Sequence, residues 1–342
     1  MATLARRDDA ELTRALQAWC EHARPGAAPI AELVRPTAGW TNETLLVRDH
    51  DGARFVVRLP PPLPTWRTYD LGAEAAVLRA LAAQSIPVPR VLAYEPEERW
   101  LGAPFLVMSF EEGHPIGEVA ALDPWLADAA PDEQRAVHVA FAVVLAAVHR
   151  VNWTSLAPAV RGARSALGAE VAYWREYIDW ASDGAPARAL VDAADWCART
   201  VPATPPRSSL CWGDPRLGNV LFHDDRTIAA VLDWETASIG PAELDLGWYL
   251  ALDDLAFHFV KRALPGFLDR AAFVKTYEAA LGRAVVNLEW HEIFALVRST
   301  AINDRQARLA ARTGASYPGV AGDTNPVLPY IRAKIAAFEA SA

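Results

Sequence analysis

Cysteine is scarce in this chain. Its three residues, Cys20, Cys197 and Cys211, are odd in number and far apart, and none belongs to a Cys-x-x-Cys or a paired-His spacing. That excludes a disulfide framework and leaves no zinc-ligand pattern. Long apolar runs are also missing. The longest, AVHVAFAVVLAAVH (136–149), is too short and too interrupted to span a bilayer. The opening MATLARRDDAELTRAL mixes both charges without an apolar stretch, so a cytoplasmic protein with no membrane partner is expected. Basic excess is absent as well. Lys and Arg number 33 against 42 Asp and Glu, a formal charge of -9, so no nucleic-acid surface is expected. Internal repeats and low-complexity segments do not occur.

What is present is the composition of a globular protein: 342 residues, 52% apolar and 22% charged. That length can bury a large core and divide into two lobes. Residues 9–24 read as an amphipathic helix ended by Pro25-Gly26. TLLVRD (44–49) and RFVVRL (54–59) read as strands joined through His50-Asp51-Gly52, a hairpin signal. A proline-rich connector, PPPLPTW (60–66), leads to a helical pattern at 71–84, and strand patterns follow at 90–95 and 104–110. Beyond Glu112-Gly113 the character changes. Helical patterns occupy 132–150, 168–199, 242–262, 270–281 and 289–313, interrupted by two short strand-like runs, 220–223 and 227–232, around Asp224-Asp225. The expected fold class is α+β, with a small β-rich lobe over 1–110 and a larger, mainly α-helical lobe over 111–342.

Chemistry first shows in the helix at 71–84. Leu71, Ala75, Leu78 and Ala82 form its apolar stripe, and Glu74 lies on it. A carboxylate facing a core is costly unless a cation meets it. Arg58 is the nearest strand cation, on one face with Val56 and opposite Phe55, Val57 and Leu59. An Arg58–Glu74 pair is one reading; a Glu74 at the stripe's wet edge is the other. The stretch LCWGDPRLGNVLF (210–222) then sets an acid, Asp214, and an amide, Asn219, five residues apart in a loop between apolar runs. Phosphoryl transfer needs a carboxylate for the attacking hydroxyl, and an amide with a second carboxylate for Mg²⁺. The kinase catalytic loop has this spacing. VLDWE supplies the second carboxylate, Asp233, after an apolar strand.

CWGDPRLGNVLFHDDRTIAAVLDWETASIGPAELDLGW, VVRLPPP and VVNLEWHEIFALVRSTA together resemble the aminoglycoside phosphotransferase-like (APH) kinases. Within them the likeness is to the branch holding the kinase-like domain of certain acyl-CoA dehydrogenases. It runs from about 30 to 315, and is most specific over 210–250. It implies a bilobal, protein-kinase-like fold, with the nucleotide bound mainly by the first lobe and the acceptor by the second. The enzyme would move the γ-phosphate of ATP or GTP to a hydroxyl of a small acceptor, with Mg²⁺. By carry-over, PTAGWTNETLLV (36–47) is the nucleotide loop, with Gly39, Thr41 and Asn42 near the phosphates. Arg58 and Glu74 complete the phosphate side, and Met108 to Phe110 form the hinge facing the adenine. Asp214 is the catalytic base, Asn219 and Asp233 are the metal ligands, and Asp245 is a structural acid bracing the catalytic loop. Three absences mark departures: one glycine in the loop where many kinases have three, arginine for the common lysine at Arg58, and Trp212 for the histidine before Gly-Asp.

The acceptor is less legible. Arg298, Arg305, Arg308 and Arg312 fall within roughly 80° on one helix face, which suits an anionic hydroxyacyl-CoA-type acceptor. A solvated basic edge is the plain alternative. An aminoglycoside acceptor would want carboxylates there; Asp253-Asp254 is such a pair, or an ordinary helix end. A nucleotide-binding pseudokinase and a metal-dependent hydrolase are the rival classes. His114, His138, His149 and His291, with Trp174, Trp180, Trp196 and Trp248, are expected to pack rather than react.

Overall fold

The computed structural model describes residues 7–36, 41–156, 160, 167–203 and 207–341. Five strands, β1 (Ile30–Val34), β2 (Glu43–Asp49), β3 (Arg54–Leu59), β4 (Val91–Glu95) and β5 (Phe105–Ser109), form an antiparallel sheet in the order β1-β2-β3-β5-β4. In β3 the side chains alternate between two burial sites. Val57 and Leu59 join Leu45, Val47, Phe105 and Val107 beneath helix α1 (Asp9–Ala23), which buries Leu12, Leu16 and Trp19. Val56 and Arg58 face the other way, toward helix α2 (Leu71–Ala82). Asp8 and Asp70 cap these helices through the backbone amides of Glu11 and Ala73.

The second lobe is mostly helix: α3 (Pro124–Ala127), α4 (Pro131–Arg150), α5 (Leu167–Ala181), α6 (Arg188–Arg199), α7 (Glu243–Val260), α8 (Arg270–Leu281), α9 (Leu288–Thr313) and α10 (Val327–Ser341). Two small sheets lie against it. One joins β6 (His114–Pro115), β8 (Val220–Phe222) and β9 (Ile228–Val231); the other pairs β7 (Ser208–Cys211) with β10 (Ser238–Pro241). Helix α4, apolar along most of its length, buries Phe141, Leu145 and Val148 in a core shared with α2, α8 and the 210–222 segment. A small antiparallel-sheet lobe on a helical lobe is a protein-kinase-like, α+β architecture.

The pattern over 168–199 is not one helix. Asp183 and Gly184 adopt left-handed φ values of 55° and 78°, ending α5, and α6 starts after Pro186. In α2 the buried residue closing the stripe is Leu81, and Ala82 is exposed. Strands β1 and β10 and helix α10 were not expected; β1 is an edge strand whose side chains are half-buried or exposed, so it carries no apolar alternation.

The connector between β3 and α2 crosses to the second lobe. Trp66 packs edge-on to Trp174, Tyr177 donates its hydroxyl to the Thr65 carbonyl at 2.8 Å, and Arg305 Nε donates to the Pro64 carbonyl at 3.1 Å. Its prolines shorten the ordering cost of a strap that ties the two lobes.

Candidate active site

Strand β7 is buried on both sides and leads into Trp212, Gly213 and Asp214. Gly213 turns the chain with φ 97°, and a Cβ there would stand 2.5 Å from the Thr236 carbonyl oxygen, so no other residue fits the turn. The turn is held by Asp245, fully buried in the first turn of α7. One of its oxygens accepts from the Trp212 amide at 2.6 Å, the other from the Gly213 amide at 3.0 Å. His149 completes the brace, with Nε2 2.9 Å from Asp245 and Nδ1 2.6 Å from the Tyr277 hydroxyl. His149 is thus packed and hydrogen-bonded, as its apolar helix suggested. Trp212 donates its indole N–H to the carbonyls of Leu232 (2.8 Å) and Asp233 (3.2 Å), tying the catalytic loop to the segment that carries Asp233.

The Asp214 carboxylate is met from three sides. Trp248 Nε1 donates to Oδ1 at 2.8 Å; Arg216 Nε and Asn219 Nδ2 donate to Oδ2 at 3.0 and 2.9 Å. Asn219 also donates to the Asp214 carbonyl at 2.9 Å, which closes the loop over its single turn of 3-10 helix. Arg216 is shared with Glu118, and these two carboxylates hold its guanidinium well above its ordinary range. Trp248 was expected only to pack. A tryptophan one turn after an acidic Glu-Leu-Asp on a helix aimed at the loop was the available signal.

Arg58 and Glu74 meet as a pair at 2.8 Å, both buried. The other guanidinium nitrogen reaches Asp233 at 2.5 Å and Glu235 at 3.2 Å. Three carboxylates therefore surround one cation, and Glu74 Oε2 is buried with no hydrogen-bond partner. Burial, and then the charge of Asp233, push the Glu235 carboxyl up to about 8. Asp233 also sits at φ 63°, a left-handed conformation uncommon for a non-glycine residue. Hard oxygen donors in negative excess, on a segment whose Leu232 amide donates to the Asn219 carbonyl at 2.8 Å, are a donor set that suits a divalent cation such as Mg²⁺. Glu235 escaped the sequence reading because Asp233 alone filled the expected metal position.

Thr41 and Asn42 immediately precede β2, and both side chains bond Glu235. The Thr41 carbonyl accepts from the Tyr69 hydroxyl at 2.8 Å, so the strap also reaches this loop. Gly39 lies outside the described residues. Met108 is buried on β5 on the face shared with Val56, and Phe110 follows the strand under the Arg54 guanidinium, 4.2 Å from its ring centre.

The arginine face on α9 is engaged along its length, although Arg312 at its end is exposed. Arg298 is buried beside Trp248 and donates to the Leu244 carbonyl; Arg305 and Arg312 engage Asp183, and Arg308 engages Asp304 and the Ala185 carbonyl. These groups tie helices together, so the face offers no row of open cations to an anionic acceptor. Asp254 is spent on Lys334 at 2.7 Å.

Carboxylate, amide and a second acidic cluster thus come together where the small sheet meets the helical lobe. The family model described as "Phosphotransferase enzyme family" (APH) matches residues 32–286, and the chain belongs to that family. The family is one of phosphotransferase enzymes. Among curated relatives, a probable acyl-CoA dehydrogenase of Arabidopsis thaliana (IBR3) is 28% identical over 290 residues, which cover 77% of this chain and 34% of that protein. Acyl-CoA dehydrogenase family member 11 of Homo sapiens is 29% identical over 238 residues, 67% of this chain and 28% of that protein. The chain thus spans about a third of the length of these relatives. The fold is shared with a macrolide 2′-phosphotransferase of Brachybacterium faecium (TM-score 0.56, 21% identity, 88% of this chain and 94% of the other). It is shared also with the GDP complex of aminoglycoside 2′-phosphotransferase-IIIa (0.59, 16%, 96% and 97%) and with a Plasmodium vivax ethanolamine kinase (0.61, 12%, 95% and 86%). Among the described residues no helix is long and apolar enough to cross a membrane.

Proposed function

We propose that this chain is a small-molecule kinase that transfers the γ-phosphate of ATP or GTP to a hydroxyl of a hydroxyacyl-type acceptor. The observation that carries the reaction is the Asp214 carboxylate, fixed by Trp248, Arg216 and Asn219 within one loop of the acidic cluster on Arg58. Asp214 accepts the acceptor's hydroxyl proton as the oxygen attacks. Three donated hydrogen bonds aim that carboxylate, so the loop's geometry does the positioning. Asn219 and Asp233, with Glu235 beside them, would hold Mg²⁺, which supplies charge neutralisation on the nucleotide phosphates. Arg58 keeps Glu74 and Asp233 in register and faces the phosphates. Residues 1–110, with Thr41, Asn42, Met108 and Phe110, take the nucleotide, with Gly39 as the sequence-inferred loop glycine; 111–342 take the acceptor. A cytoplasmic setting belongs to this reading, supported by three free thiols.

The hydroxyacyl class rests on the acyl-CoA dehydrogenase relatives and no longer on the arginine face. An antibiotic acceptor is the second reading, favoured by the phosphotransferase neighbours. Release of ADP or GDP with Mg²⁺ over panels of hydroxyacyl-CoA compounds and of aminoglycosides and macrolides tests both, with Asp214→Ala as blank. Turnover on the first panel alone supports the proposal; turnover on the second alone replaces the acceptor; nucleotide binding without turnover on either leaves a pseudokinase. Asp233→Ala should remove the Mg²⁺-dependent part of nucleotide affinity.

A further inference from the structure

A cavity of about 730 Å³ opens on the second lobe, away from the acidic cluster. Its wall comes from the end of α4 and the residues after it, from the start of β7, and from the end of α8. That volume lies in the range of small-molecule sites, roughly 300–1,000 Å³. The wall is basic in a protein of net charge -9: Arg150, Arg207 and Arg283 line it, and no described lining residue is acidic. Arg283 is already balanced, since both its terminal nitrogens reach the fully buried Glu243 at 2.6 and 3.0 Å. Arg150 spends one nitrogen on the Ala280 carbonyl at 3.2 Å, which also meets the carbonyl end of α8. Arg150 and Arg207 are exposed, and among the described residues neither has a carboxylate partner. Asn152, Ser208 and Ser209 add neutral polar groups, and Trp153 adds a half-buried ring.

We propose that this cavity is a regulatory site for a phosphate-bearing small molecule. Two unbalanced guanidinium groups with hydroxyl neighbours recognise a phosphate by paired N–H donation. The location explains how occupancy would be felt. Ser208 and Ser209 open strand β7, which leads through the Gly213 turn to Asp214, six residues on and at most ~20 Å away. His149 in the same wall bonds Asp245, which holds the Trp212 and Gly213 amides. Asn152 exchanges two hydrogen bonds with Gln84, just past the helix that carries Glu74. An anion that draws Arg150 and Arg207 together therefore acts on three elements that set the active-site geometry. A ligand that favours one arrangement of them must, by linkage, change nucleotide affinity.

The probe is inorganic pyrophosphate without divalent cation, titrated calorimetrically into the wild type and into Arg150→Gln and Arg207→Gln. Neither residue belongs to the active site, so basal turnover and circular dichroism should be unchanged. Each variant should weaken pyrophosphate binding at least about tenfold, the scale of one lost charge-assisted bond. Saturating pyrophosphate should shift the dissociation constant for ADP at least about threefold in the wild type and leave it unchanged in the variants. Equal binding in all three proteins would place pyrophosphate in the nucleotide cleft and overturn the site, as would no binding. Unaltered ADP affinity at full occupancy would overturn the coupling. The coupling rests on the nucleotide reading above, and the isotherm does not. Variant-sensitive pyrophosphate binding in a protein that binds no ADP would therefore overturn that reading and leave the anion site standing.

Discussion

Trp248 donates its indole N–H to Asp214 across 2.8 Å, and the Arg298 guanidinium lies 4.8 Å from the centre of that ring. A helix that packs the second lobe thereby also orients the proposed base. Trp248→Phe keeps the apolar ring and removes one bond to a carboxylate. Such a bond contributes about 1.5–3 kcal/mol, so kcat should fall roughly 10- to 100-fold with nucleotide affinity unchanged. An unchanged kcat would mean that this hydrogen bond does not shape the reaction.

Asp214→Ala should lower turnover by about 10²–10⁴ while nucleotide still binds, the usual scale for a lost general base. Single-turnover kinetics with a confirmed acceptor, beside a nucleotide isotherm, separate the two effects. Full activity would displace Asp214 from its role.

Arg58→Ala leaves Glu74, Asp233 and Glu235 facing one another without their cation. Breaking a buried pair in this way costs about 3–5 kcal/mol. The midpoint in urea should drop sharply, and Mg²⁺ should restore part of it. Arg58→Lys supplies charge but only one point of contact where the fork now serves three carboxylates, so an intermediate loss is expected. No Mg²⁺ rescue in the alanine variant would argue against a metal at this cluster.

Gly213→Ala tests the turn. Its Cβ would collide with the Thr236 carbonyl oxygen, and its φ of 97° is unfavourable for any L side chain. Activity should fall more than stability, because the clash falls beside Asp214; a variant with wild-type kinetics would show that the loop accommodates it.

Acid should destabilise the second lobe through its buried histidines. The Leu268 amide donates to His138 Nδ1 at 3.0 Å, which leaves the proton on Nε2, 2.7 Å from the Tyr249 hydroxyl. Burial lowers His138 to about 3 and His291 to about 4, against 6.5 when unfolded. The unfolded chain therefore binds protons first as pH falls. Stability from each is complete above about 6.5 and is lost progressively below it, about 2 kcal/mol per histidine by pH 5. Urea midpoints at pH 7.5 and 5 for the wild type and His138→Gln check this; the variant's midpoint should depend less steeply on pH.

Local pattern was enough for much of this protein. Turn residues and period-two alternation located the β2–β3 hairpin, and the helical period placed Glu74 on a buried stripe. The Asp214–Asn219 spacing was legible because five residues are held in one loop, where sequence distance is spatial distance. Patterning failed where its cause is elsewhere. The break at Asp183-Gly184 interrupts a helical pattern that continues on both sides, and β1 is an edge strand without a buried face.

Composition and local order thus determined the two lobes and the acidic loop, and left Glu74 with two readings, of which the structure chose the pair with Arg58. Tertiary structure alone decided that Asp233 and Glu235 share the same guanidinium and that Trp248 turns inward to Asp214. It alone decided that the arginines of α9 are consumed in bracing the fold. The physical reason is the same in each case. A charged side chain takes whichever partner the packed chain brings within hydrogen-bond reach, and those partners lie from 4 residues away (Arg308 and Asp304) to 177 (Arg58 and Glu235) in sequence.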